Sequence, residues 1–131
     1  MKKEFQSVRN VMTPMVEFID GMATAKEAVV QMRQKNVDAL VVKKRHPHDV
    51  CGIVVIKDFI KGVLIAERNS DEVNVYEIMT KPVISVPADM DVRYAAMLLV
   101  KAGLRIAPVE EKGEFIGMIS LSTLVLGNLL F

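Results

Sequence analysis

One offset governs this sequence. Shifted by 67 residues, the chain lies on itself without a gap from Val8/Val75 to Val42/Val109. Met12 meets Met79, Thr13 meets Thr80, Val16 meets Val83 and Ala28 meets Ala95. Identities are few, and the matching order of residue types is the stronger signal. A chain duplicated at this period is expected to build two like units, each too small to bury its apolar faces alone. Residues 1–68 carry the first copy and 69–131 the second, with NSDEVN (69–74) as the linker.

In the first copy, Val16–Ile19 reads as a short strand. Thr24 and Glu27 stand at capping-box spacing, where hydroxyl and carboxylate each satisfy a free N–H at a helix start. Ala28, Val29 and Met32 follow at helical period, and Asn36 stands where a left-handed C-cap belongs. In the second copy VISV (83–86) is the strand, Asp91 the N-cap, and Ala95, Leu98, Leu99 and Ala102 the apolar helix face. Gly103 is the C-cap at the place of Asn36. Both residue types tolerate positive φ, so the match is physical as well as textual. Each copy goes on to two strands joined by a polar turn, 39–43 with 51–55 and 105–110 with 114–120. The first turn, KRHPHD, is longer than its counterpart EKGE, as a hairpin tip allows. Helices over 56–68 and 121–131 close the copies. The order is β-α-β-β-α, twice, which is α/β in content and α+β in arrangement.

Hydrophobic residues make up 51% of the chain, so some apolar surface is expected to lie against a second subunit. The 17 basic and 16 acidic side chains leave +1, which argues against a nucleic-acid footprint. Aromatic content of 5% argues against base-stacking platforms. The start, MKKEFQSVRN, has no apolar core of a signal peptide. The most apolar stretch, GIVVIKDFIKGVLIA, is broken by Lys57, Asp58 and Lys61, so no membrane span is expected. The single Cys51 forms no intrachain disulfide, which fits a reducing cytoplasm, and reads as a small buried hydrophobe. His46 and His48 share one turn with Asp49, a polar loop rather than a metal site. There is no Gly-rich phosphate loop and no nucleophile motif, so no catalytic residue is assigned.

The segments VMTP (11–14), NVDALVV (36–42), GIVVIKD (52–58), IMTKP (78–82), GLRIAPV (103–109) and GMISLST (117–123) carry a family likeness. In this order, twice at one spacing, the chain resembles a pair of CBS domains (cystathionine β-synthase domains, the Bateman module) over essentially its whole length. The resemblance implies two repeats related by a pseudo-twofold, with sheets packed together and two interdomain clefts. It also implies a homodimer of such pairs and a regulatory, non-enzymatic role. The clefts of the family bind AMP, ADP, ATP or S-adenosylmethionine and report to an effector. This chain carries no effector, so the expectation is a free-standing sensor acting on a protein partner in trans. The other reading is a structural dimerisation and protein-interaction module with empty clefts.

In nucleotide-binding members, an Asp ending a Gly-x-x-(Ser/Thr)-x-x-Asp segment grips the ribose. A carboxylate can accept from both adjacent hydroxyls at once. Asp58 matches that position, and Thr123 replaces it in the second copy. The Ser/Thr position is Val55 in one copy and Ser120 in the other. Arg105 matches the family's phosphate-binding arginine, where the first copy has Asp38. Carried over, the resemblance implies one cleft joining Asp58 and Asp38 to Thr80, Lys81 and Val83. The other joins Arg105, Ser120 and Thr123 to Thr13 and Val16. Asp38 repels phosphate, with Lys81 partly offsetting it, so the first cleft suits a neutral or cationic adenosyl compound. The second keeps the phosphate partner and loses the carboxylate. No cofactor is required. Each residue also has a plainer reading. Asp58 suits a helix start by charge, although Val55 offers no hydroxyl to complete a box. Thr13 and Thr80 suit turn caps, and Asp38 and Arg105 suit solvated charges.

Overall fold

The structure is a computed structural model, and it describes residues 5–128 and 131. The helix caps form as their spacing requires. Thr24 Oγ1 accepts from the Glu27 N–H at 3.0 Å, and the Glu27 carboxylate accepts from the Thr24 N–H at 2.9 Å. Helix α1 (Ala25–Lys35) runs from this box to Asn36, which leaves it at φ 54°. In the second repeat, the Asp91 carboxylate accepts from the Arg93 N–H at 2.9 Å, and α4 (Val92–Ala102) ends at Gly103 with φ 69°. Between them lies α3 (Val75–Ile78), a single turn.

Strands β1 (Phe18–Ile19), β2 (Ala39–Val42) and β3 (Gly52–Val55) form one sheet in that order. β1 runs parallel to β2, joined through α1, and β3 returns antiparallel. Strands β4 (Val86–Pro87), β5 (Ile106–Glu111) and β6 (Glu114–Ser120) repeat this topology. The protein is therefore α+β, two small three-stranded sheets with helices. Among the described residues no helix is long and apolar enough to cross a membrane.

The opening strands are shorter than the sequence predicts. Of 83–86 only Val86 is strand, because the Val83 N–H is already committed to the Cys51 carbonyl at 2.9 Å. The closing helices differ too. The expected 56–68 helix is α2 (Ile56–Phe59) continued as a π-helical stretch, Ile60–Ile65. Helix α5 (Leu121–Leu126) closes the second repeat, and residues 129–130 of that expected helix lie outside the described residues. The 69–74 segment is more than a linker: Val73 is fully buried, and its carbonyl accepts from the Ala25 N–H at 2.7 Å. Cys51 is half-buried rather than buried.

The compact units are not the sequence repeats. Residues 17–83 form one, central in the chain, and residues 1–16 with 84–131 form the other, the terminal unit. The opening segment of each repeat has folded onto the closing strand of the other. Thr13 exchanges both backbone hydrogen bonds with Met118, and Thr80 does the same with Ile53, all at 2.9 Å. Val8 and Val11 accordingly join Leu99, Val109 and Ile119 in the terminal core, and Val75 joins Leu40 and Val54 in the central one.

Two glycines permit this exchange. A Cβ on Gly117 would lie 2.6 Å from the Thr13 carbonyl oxygen and 2.7 Å from Met12 Sδ. A Cβ on Gly52 would lie 2.8 Å from Met79 Sδ and 3.1 Å from the Thr80 carbonyl oxygen. Urea unfolding should therefore find Gly117→Ala destabilised by about 1–3 kcal/mol, as overpacked sites are. Gly52→Ala should lose less, since a methionine end yields more easily than a backbone carbonyl. Equal or higher stability in Gly117→Ala would show that this approach is not tight.

Candidate functional site

The β2–β3 register runs from Ala39↔Val55 to Val42↔Gly52. It sets Asp38, just before β2, and Asp58, on α2, at one end of the strand pair. The KRHPHD turn occupies the other end, roughly 10 Å away at ~3.3 Å per residue. All five residues assigned to the first site by resemblance lie in the central unit. Asp58 is half-buried, and its Oδ2 accepts from the Val55 N–H at 2.8 Å. That is half of a capping box, since Val55 has no side-chain acceptor to return the bond. Oδ1 has no hydrogen-bond donor among the described residues. Burial pushes the Asp58 carboxyl above the ordinary aspartate range, opposed by the Val55 N–H and the charges of Lys61 and Lys57. A raised acid beside an unused acceptor oxygen is the kind of group that binding sites hold.

Thr80 is exposed, with its backbone tied to Ile53, and half-buried Val83 is tied to Cys51. Lys81 departs from expectation. Its Nζ donates to Asp49 Oδ2 at 2.7 Å, at the hairpin-tip end, so it does not offset Asp38. Asp49 organises this turn. It also accepts from the Arg45 N–H at 2.9 Å, and these partners hold its carboxyl far below the usual range.

The second set lies in the terminal unit. Ile106 pairs with Ser120, and the Arg105 carbonyl accepts from the Leu121 N–H at 3.0 Å, so Arg105, Ser120 and Thr123 share one end of the hairpin. Thr13 pairs at Met118, further along β6, and Val16 is half-buried. The hydroxyls here are engaged with each other. Ser120 Oγ accepts from the Thr123 N–H at 3.1 Å, and Thr123 Oγ1 accepts from the Ser120 N–H at 2.9 Å. Thr123 Oγ1 also donates to the Ser120 carbonyl at 3.1 Å. Ser120 therefore supplies the hydroxyl that Val55 lacks, and the box left half-made at Asp58 is complete at Thr123.

A cavity of about 690 Å³ opens at the hairpin-tip end of the central unit. Lys43, Lys44, Arg45, Lys81, Tyr76 and Met79 are among its lining residues. Of these, sequence reasoning singled out only Lys81, and for the other end. The signal available was Lys43-Lys44 standing opposite Glu110-Glu111 in the repeat alignment.

Two β-α-β-β-α repeats, each closed by the other's opening segment, define a tandem module of the regulatory kind. The chain belongs to the CBS domain family, whose profile matches residues 8–65 and 75–126. It is 32% identical over 105 residues to the mitochondrial CBS domain-containing protein CBSX3 of Arabidopsis thaliana, covering 78% of this chain and 51% of that one. The chain spans about half the length of the curated relatives it matches at 32% identity. The hexameric CBS-CP12 protein from bloom-forming cyanobacteria superposes with a TM-score of 0.87 at 34% identity, covering 92% of this chain and 69% of that one. A protein with CBS domains from Burkholderia ambifaria MC40-6 gives 0.84 at 26% identity, covering 95% of each.

Asp58 has a pH signature. Its folded pKa lies above the unfolded value of 3.8, so the folded state holds the extra proton between the two. Its contribution to stability therefore falls as pH rises through that window, and the penalty is complete above the folded pKa. Asp58→Asn keeps an acceptor for the Val55 N–H and removes the buried charge. Urea unfolding should show the variant gaining stability over the parent from about pH 4 upward and levelling off once pH has passed the folded pKa. A loss of stability at pH 7 would assign Asp58 to the cap alone.

Proposed function

We propose that the chain is a regulatory CBS pair whose Asp58 site holds an adenosine-containing ligand and signals its occupancy to a protein partner in trans. The observation carrying this reading is the half-made cap. Asp58 presents a half-buried carboxyl with one oxygen unused, its pKa raised by burial, where Thr123 Oγ1 accepts from the Ser120 N–H and hydroxyl and donates to the Ser120 carbonyl. Ribose hydroxyls donating to Asp58 Oδ1 return the hydrogen bonding that burial removed, and they favour the ionised form. Affinity then rises with pH through the Asp58 pKa. Asp38 at the same end disfavours a phosphate, so S-adenosylmethionine or a neutral relative fits better than AMP, ADP or ATP.

Self-association has its own support. Tyr94, Met97 and Val100 form an i, i+3, i+6 stripe on α4, exposed at 64%, 51% and 68%. Apolar stripes of this kind mark interaction surfaces, and a cyanobacterial protein of this fold is hexameric. The same stripe is what a purely structural interaction module would present.

A thermal-shift panel of S-adenosylmethionine, AMP, ADP and ATP separates the two readings. The expected result is a melting temperature that climbs with S-adenosylmethionine concentration by mass action, and Asp58→Asn loses the climb while staying folded. A flat response to the whole panel favours the structural module. Native mass spectrometry should show a dimer or larger assembly, shifted toward monomer by Met97→Glu; a monomeric parent protein would exclude the α4 stripe as a self-interface.

A further inference from the structure

The duplication supplies an internal control at the hairpin-tip end. In the terminal unit, Arg9 donates to Asp89 at 3.0 Å and pairs with Glu111. Arg9 in turn holds the Glu111 carboxyl below its ordinary range. At the repeat offset, Arg9 corresponds to Tyr76, Asp89 to Met22, Glu110 to Lys43 and Glu111 to Lys44. Every member of the ion cluster is therefore replaced in the central unit. An aromatic ring stands for the cation, a thioether and an ammonium stand for the carboxylates, and the cluster has no counterpart.

In its place is the cavity of about 690 Å³, within the size range of small-molecule sites. Its cations are Lys43, Lys44, Arg45 and Lys81. Arg45 and Lys81 meet at Asp49, at 3.3 and 2.7 Å. Lys43 and Lys44 are exposed and have no ion-pair partner among the described residues. Asp20 also lines the cavity, a single carboxylate against these four cations, with its Oδ1 accepting from the Met22 N–H at 2.8 Å. Buried Val42, half-buried Met79 and the half-exposed Tyr76 ring give the same cavity an apolar side. Cations gathered beside an aromatic and thioether surface fit a ligand with an anionic end and a flat end.

We propose that this cavity binds a small phosphate monoester carrying a flat apolar ring, with the phosphate at Lys43 and Lys44 and the ring against Tyr76 and Met79. The site lies at the opposite end of β2–β3 from Asp58 and does not depend on the adenosyl reading. Lysines act here as point charges on the phosphate, and the attraction is screened by salt.

Isothermal titration of the full chain with 1-naphthyl phosphate tests this, with inorganic phosphate and 1-naphthol as probes of each feature alone. Saturable binding of naphthyl phosphate is expected, about tenfold or more tighter than either partial probe, and weakened by salt. The double variant Lys43→Glu/Lys44→Glu should weaken it by about tenfold or more, whereas Asp58→Asn should leave it unchanged. Tyr76→Arg combined with Lys44→Glu recreates the Arg9–Glu111 pair of the terminal unit and should abolish binding while the melting temperature holds. The proposal is overturned if naphthyl phosphate does not bind, or if the lysine reversal leaves binding intact. Equal loss in Asp58→Asn would move the phosphate to the other end, and equal affinity for inorganic phosphate would remove the ring from the proposal.

Discussion

The architecture depends on a pair of backbone exchanges, Thr13 with Met118 and Thr80 with Ile53. Each needs a strand that a second backbone can approach closely, and Gly117 and Gly52 supply it. The exchange carries Val8 and Val75 into cores that their own repeats do not build. It also decides which side chains meet. Lys81 reaches Asp49 because the segment behind Thr80 runs beside β3 toward the hairpin tip, with Val83 bonded at Cys51. The repeated Met-Thr is thus the part of each copy that belongs structurally to the other.

What the sequence made legible was local. The Thr24–Glu27 box, the Asp91 cap and the left-handed Asn36 and Gly103 are settled within a few residues, and all formed. Strand β6 matches its expected bounds because alternation and a Gly turn define it. The errors came where a distant partner decides. The 83–86 strand was cut back by a bond to Cys51, Lys81 was drawn away by Asp49, and the 69–74 segment was pulled into a core through Val73. At the candidate site, Asp58 and Thr123 were both visible from their position after the glycine. Only the structure distinguishes a half-used carboxylate from a fully engaged hydroxyl.

Both departures from symmetry fall on the same unit. In the terminal unit, the Ser120–Thr123 box is closed and the Arg9 cluster is closed. In the central unit, the cap lacks its second partner and the ion cluster has become a cavity. At these two places the central unit keeps an unused Asp58 oxygen and a lysine-lined cavity where the terminal unit closes on itself, while among the described residues the buried side-chain atom without a partner, Gln6 Oε1, belongs to the terminal unit.

The exchanged openings also bear on how such a protein can change over generations. If one repeat were deleted at the 68/69 junction, Ile53 would lose the partner for both its N–H and its carbonyl, and a glycine-bearing strand edge would be laid open, the kind of edge that recruits other chains. Loss of a single copy therefore produces an aggregation hazard rather than a smaller working protein. Insertions at the KRHPHD turn leave these backbone exchanges untouched, although they move Asp49 and Arg45 against Lys81. Selection can vary the tips one at a time, but it must inherit the two repeats together.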